Sequence, residues 1–111
     1  MTTMHRNVVD YFVLMDGDDK KETIRVFAED AAVIDDGHIY RDRAEILDWL
    51  AGAASEYTTT STELSARNES RSASVVVRLE GNFPGGRVDL KHDFSFDPDG
   101  QVQRLEITVS G

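Results

Sequence analysis

Cysteine is absent from the chain, and proline occurs only 2 times in 111 residues. Without cysteine there is no disulfide framework and no thiolate chemistry, and nothing points to an oxidising compartment. No apolar run approaches the roughly 20 residues of a membrane-spanning helix. The opening Met1-Thr2-Thr3-Met4-His5-Arg6 lacks the basic-then-apolar layout of an export signal, so a cytoplasmic protein is expected. Basic residues are scarce: 12 Lys and Arg stand against 21 Asp and Glu, a formal net charge of −9. Such a surface repels phosphate backbones and anionic lipid, so neither nucleic acid nor a membrane is an expected partner. The 3 histidines, His5, His38 and His92, have no paired ligand spacing, and no metal site is expected. A Ser-centred elbow, a phosphate-binding loop and a dinucleotide fingerprint are also missing, so no cofactor is expected.

What is present reads as one domain over 1–111, with an ordinary 40% hydrophobic content. The first half has helical spacing. Val8, Phe12 and Met15 form an apolar stripe flanked by Val9 and Tyr11 and stopped at Gly17. A short second helix is predicted from Asp18 or Asp19, capped by Asp19, with Ile24, Phe27 and Ala28 on its buried side. Ala31 to Asp35 reads as a strand, Asp36-Gly37-His38 as a hairpin turn, and Ile39-Tyr40 as a brief return strand. Asp42 then caps a third helix whose inner face is Ile46, Leu47, Trp49, Leu50 and Ala53.

From Tyr57 the period changes from helical to alternating. Tyr57 to about Asn68 is a weakly patterned strand, and Val75, Val77 and Leu79 share one face of the next. Gly81 to Gly86 makes a turn. Val88, Leu90, His92, Phe94 and Phe96 then point one way while Arg87, Asp89, Lys91, Asp93 and Ser95 point the other. Asp97-Pro98-Asp99-Gly100 is a turn, followed by a strand with Leu105, Ile107 and Val109 inward. Helices first and a meander of strands afterwards imply an α+β domain, a curved antiparallel sheet packed against three N-terminal-half helices.

Two polar residues interrupt apolar inner faces, Asp35 and His92, and the Tyr11 hydroxyl on the first helix can aim inward. Phe12, Phe27, Val33, Trp49, Val77, Phe83, Phe94 and Ile107 are the candidate pocket residues around them. An apolar hollow with a few convergent polar groups is the usual form of a small-molecule site. Each group also has a plainer structural reading. Asp35 can cap the hairpin turn, His92 can be a hydrogen-bonded core histidine, and Tyr11 a packed ring with its hydroxyl at the surface. His5 and His38 are expected to be solvent-exposed.

The segments Tyr11-Phe12-Val13-Leu14-Met15-Asp16-Gly17-Asp18, Phe27-Ala28-Glu29-Asp30-Ala31 and Tyr40-Arg41-Asp42-Arg43-Ala44-Glu45-Ile46, with Phe94-Ser95-Phe96-Asp97 and Gly100 later, carry a resemblance. In that order, over nearly the whole chain, it resembles the nuclear transport factor 2-like superfamily, in its SnoaL-like and ketosteroid isomerase-like branch. The resemblance implies a single cone-shaped (cystatin-like) domain with a pocket between sheet and helices. It places Tyr11 where the isomerases keep an oxyanion-binding tyrosine, Asp35 on their proton-shuttling carboxylate and Trp49 on an aromatic wall position. His92 stands where they keep a protonated aspartic acid, a departure from their pattern, and the loop after Asp35 looks shorter than theirs. Epoxide hydrolases of this fold use an Asp-Arg-Asp set. The candidate Arg78 alternates with Val77 and Leu79 and is predicted to face outward, which counts against that chemistry.

Two functions follow as expectations. One is an isomerase- or cyclase-type enzyme that abstracts a proton next to a carbonyl of a small apolar substrate, with Asp35 as a base made stronger by desolvation and Tyr11 and His92 as oxyanion donors. The other is a non-catalytic ligand-binding or interaction protein of the same fold. The resemblance also implies a homodimer paired through the sheet.

Overall fold

The alternation from Ser72 to Val109 forms a run of antiparallel neighbours, β4 (Ser72–Gly81), β5 (Arg87–Phe96) and β6 (Val102–Val109). The computed structural model describes residues 4–110. Ahead of these strands come α1 (Arg6–Met15), a 3-10 turn at Lys20–Val26, β1 (Phe27–Asp35), β2 (His38–Arg41), α2 (Asp42–Ala51), a second 3-10 turn at Ala53–Ser55 and β3 (Thr59–Asn68). The six strands form one curved sheet in the order β2-β1-β6-β5-β4-β3. No helix among the described residues is long and apolar enough to cross a membrane.

The α+β cone is as expected, but the sheet is mixed. β1 runs parallel to β6 and pairs antiparallel only with β2. Alternation reports which face a side chain takes and carries no information on strand direction. The β1–β2 connection is the tight turn of Asp36 and Gly37, with φ of 52° and 78°. Both values are positive, which is the type I′ requirement that an Asp-Gly pair meets at low cost. At the start of α2, Asp42 (φ 59°) accepts hydrogen bonds from the backbone of Ala44 at 3.1 Å and Glu45 at 3.4 Å, while Glu45 reaches back to the Arg41 N–H at 2.6 Å. That reciprocal box fixes where the helix begins.

Several local expectations change. The second helix is a 3-10 segment whose buried residues are Thr23 and Val26, while Phe27 and Ala28 belong to β1. Seven residues with β-branched Thr23, Ile24 and Val26 do not sustain an α-helix. On α1 the fully buried residues are Val8 and Tyr11, with Phe12 and Met15 half-buried. On and after α2, Leu47 and Ala53 are exposed. Val109 is 74% exposed, because β1 ends opposite Ile107 and nothing covers the position beyond. His5 is half-buried, stacked on Phe96 at 4.0 Å with Nε2 at 2.6 Å from the Glu69 carbonyl oxygen; His38 is exposed as expected.

The sheet registers arrange the concave face in rows. Phe27, Val102 and Phe96 form the deepest; Val33, Leu105, Phe94 and Ala73 form the next. All of these are buried, and they seal the narrow end of the cone against α1 and α2. Leu105, fully inaccessible, sits in the middle of the second row. Truncation there leaves a cavity that sheet neighbours on both sides prevent from collapsing, so Leu105→Ala is expected to cost about 3 kcal/mol. Urea unfolding with an unchanged slope and a lowered midpoint is the expected result.

Candidate functional site

Two residues further along each strand, the next row reads Asp35, Ile107, His92 and Val75. Strand spacing of about 4.8 Å puts the Asp35 and His92 backbones roughly 10 Å apart, with Ile107 between them. The row after that carries Leu90 and Val77, and the one beyond it Val88, Leu79 and Ser61. Above the sealed floor the cone therefore opens into a cavity of about 450 Å³.

Helix α1 forms the opposite wall. Tyr11, Phe12 and Met15 line the cavity from that side, and Trp49 of α2 closes it near Asp35. Tyr11 and Phe12 approach His92 with ring centroids at 5.8 and 5.0 Å, both edge-on. At the wide end Gly81 holds the rim together. A Cβ there would stand 2.2 Å from the Thr58 carbonyl oxygen, so only glycine lets the β4–β5 hairpin lie against the start of β3. Thr58 and Asn82 exchange hydrogen bonds across that contact, and Phe83 sits 6.1 Å from Tyr57.

Of the residues expected in the pocket, Phe12, Trp49, Val77, Phe83 and Ile107 line it, together with Tyr11, Asp35 and His92. Phe27, Val33 and Phe94 do not. They occupy the two deeper rows and form the floor beneath the cavity, since inner-face parity fixes a side chain's face but not its depth.

Asp35 does not cap the turn. Its Oδ2 accepts a hydrogen bond from Trp49 Nε1 at 3.0 Å, and Oδ1 has no partner among the described residues. It is half-buried at the cavity wall and bonded to the indole, not the desolvated carboxylate expected from the sequence. The Tyr11 ring is 2% exposed, and its hydroxyl finds no hydrogen-bond partner among the described residues. Burial, then the Asp35 and Asp16 carboxylates, push its pKa far up, so the group is a neutral phenol and a donor. His92 is 5% exposed and its Nδ1 is buried without a hydrogen-bond partner. Burial lowers its pKa to about 4, against smaller opposing effects of the Leu90 backbone and Asp93. The imidazole is therefore neutral near pH 7.

Six polar lining residues were not among the candidate site residues: Asp16, Lys20, Asp36, Tyr57, Thr59 and Ser61. Asp16 ends α1 and takes a hydrogen bond from the Ser61 hydroxyl at 2.9 Å. Lys20 donates to the Ala54 carbonyl at 2.8 Å and the Tyr57 carbonyl at 3.5 Å. These contacts join segments more than thirty residues apart, which local patterning cannot reveal. Arg78 faces outward as expected and binds both carboxylate oxygens of Asp89 at 3.0 and 3.2 Å on the convex face. Among the described residues no group of three or more His, Asp or Glu is arranged to hold a metal ion.

No protein-family model matches the sequence, and no curated protein matches it. Among solved structures, a proposed polyketide cyclase from Sinorhizobium meliloti is 30% identical, with TM-score 0.83 over 92% of this chain and 93% of that one. A protein with a ketosteroid isomerase-like fold from Catenulispora acidiphila, in complex with trimethylamine, has TM-score 0.84 at 16% identity over 97% of this chain and 88% of its own. The epoxide hydrolase/cyclase-like enzyme SalBIII, with a role in pyran ring formation in the polyether salinomycin, gives 0.76 at 18% identity over 94% and 88%.

A histidine buried neutral makes stability depend on pH with a defined sign. Its folded pKa, about 4, lies below the ordinary 6.5, so the unfolded chain binds more protons between those values and stability falls as pH drops from 6.5 towards 4. The interval corresponds to about 3 kcal/mol. His92→Phe is expected to lose less stability between pH 7 and pH 4.5 than the parent chain in urea unfolding. Equal losses would show that His92 is not buried neutral.

Proposed function

Because the chain belongs to the nuclear transport factor 2-like superfamily, in its SnoaL-like and ketosteroid isomerase-like branch, we propose that it is an isomerase- or cyclase-type enzyme removing a proton next to a carbonyl of a small apolar molecule. The observation that carries this reading is the meeting of one acceptor, Asp35, and two neutral polar groups, Tyr11 and His92, at the wall of one largely apolar cavity. A substrate carbonyl oxygen on the Tyr11 and His92 side would receive the phenol hydrogen bond and one from the imidazole, if the ring carries its proton on the nitrogen that faces the oxygen. Both donors are neutral, so they strengthen their hold as charge develops on the oxygen without first binding a counter-charge.

Asp35 is the base. The Trp49 indole restrains one carboxylate oxygen and leaves the other to meet the substrate C–H. After abstraction the proton resides on Asp35, and the electron pair lies in an enolate held by Tyr11 and His92. Return of the proton to a different carbon gives isomerisation. Attack of the enolate carbon on a second carbonyl of the same molecule gives cyclisation, with the proton passed to the new alkoxide. Both outcomes need the same three groups, and the apolar walls, Leu90, Ile107 and Phe12 among them, exclude water from the enolate.

Asp35→Asn is expected to abolish deuterium exchange into cyclic ketones and polyketide mimics, followed by NMR, and Tyr11→Phe to slow it about 100- to 1,000-fold. No exchange by the parent chain, with binding retained, would reduce the reading to a ligand carrier. A homodimer paired through the convex face of β4–β6 is proposed alongside, on the branch's expectation. Arg78, Asp89, Lys91 and Asp93 make that face polar, which suits a wet interface. Light scattering at micromolar concentration is expected to give twice the monomer mass; a monomer would refute the pairing.

A further inference from the structure

We propose that the wide end of the cavity is a second recognition subsite, in which the Lys20 ammonium binds a neutral carbonyl oxygen at the far end of the ligand. The inference rests on the reading of the cavity as a ligand site. Lys20 is the one cationic side chain lining the cavity among the described residues. An ammonium carries three N–H donors. The Ala54 carbonyl takes one at 2.8 Å, and the Tyr57 carbonyl takes a second at 3.5 Å, a weak contact. The third has no protein partner among the described residues. Half-burial lowers the Lys20 pKa against the opposing influence of Asp16, so the charge is incompletely solvated where it stands. An oxygen arriving in the cavity would complete its shell.

The carboxylate nearest to Lys20 is already engaged. Asp16 holds the Ser61 hydroxyl at 2.9 Å, and its charge raises the Lys20 pKa without forming an ion pair with it. Asp16, Asp35 and Asp36 all line this cavity, and the chain carries a net charge of −9. A second anion would meet repulsion, which favours a ketone or ester oxygen over a carboxylate.

The separation of the two ends sets the ligand's size. From His92 to Val88 the sheet wall advances four residues, about 13 Å. From Tyr11 to Asp16 the helix wall advances five, roughly 8 Å. The ligand is then a rigid, fused-ring or similarly extended molecule with oxygens at both ends and an apolar middle, lying against Val77, Leu90 and Met15.

Trp49 is the single tryptophan of the chain and donates to Asp35 at the narrow end, so its fluorescence reports occupancy without a label. Two probes decide the matter: androstenedione, a steroid with oxygens at both ends, and the androstenone lacking the oxygen on the five-membered ring. The diketone is expected to bind at least about ten-fold more tightly, the value of one hydrogen bond to a charged donor. Lys20→Met is expected to reduce the diketone to the affinity of the mono-ketone and leave the mono-ketone unchanged. Equal affinities in the parent chain would overturn the subsite while leaving the cavity a ligand site. No response of Trp49 to either probe would overturn the ligand-site reading and the subsite with it. The parent-chain comparison decides even where Lys20→Met fails to fold.

Discussion

Asp35 and His92 share a site because β1 runs parallel to β6. That single pairing sets Asp35 level with Ile107, and the antiparallel β5–β6 register then sets Ile107 level with His92. A slip of one residue in either ladder would turn one of the two to the convex face. The pairing joins segments about seventy residues apart, and everything between them serves to bring β1 back to the last strand. The β1–β2 turn of Asp36 and Gly37, the capped start of α2 and the return to β3 at the far edge of the sheet are the means.

The site stays open because the apolar floor stops where it does. Val33, Leu105, Phe94 and Ala73 are sealed, and one row later the side chains change to Asp35, Ile107, His92 and Val75. A carboxylate and an imidazole in the floor itself would have no water and no partner, a cost of several kcal/mol. One row up, the carboxylate keeps a half-exposed position and an indole N–H, and the imidazole stays neutral. The transition from core to site thus takes a single pleat of the sheet.

Much of the fold was legible in the sequence for physical reasons that also explain the misses. Strand parity from Val75 to Ile107, the Asp-Gly turn and the α2 cap are short-range rules, and they held. The parallel pairing, the exposure of Val109 and the depth of Phe27, Val33 and Phe94 depend on which strands lie side by side, which parity does not encode. Tyr11, Asp35 and His92 stood out because polar groups on apolar faces need a reason. Lys20 and Asp16 did not, since charged residues beside a helix end look like ordinary solvated surface. The Trp49–Asp35 bond had a usable sign. A buried indole N–H seeks an acceptor, and Asp35 is a carboxylate on an inner strand face within its reach.

An orphaned buried polar group does not by itself mark a binding site, and this chain contains its own control. Thr23 is fully buried and its hydroxyl has no hydrogen-bond partner, as with His92 Nδ1. Each such group costs about 1 to 3 kcal/mol relative to a satisfied one. Thr23 lies against the core and does not line the 450 Å³ cavity, so a ligand bound there cannot relieve that cost, and the group is only a local defect of packing. Tyr11 and His92 border 450 Å³ of space large enough for a small molecule. There a ligand can meet the Tyr11 hydroxyl and the open edge of the imidazole, whereas His92 Nδ1 itself has no accessible surface and stays in the position of the Thr23 hydroxyl. What separates function from strain in this structure is the empty volume beside the unsatisfied group and not the lack of a partner alone.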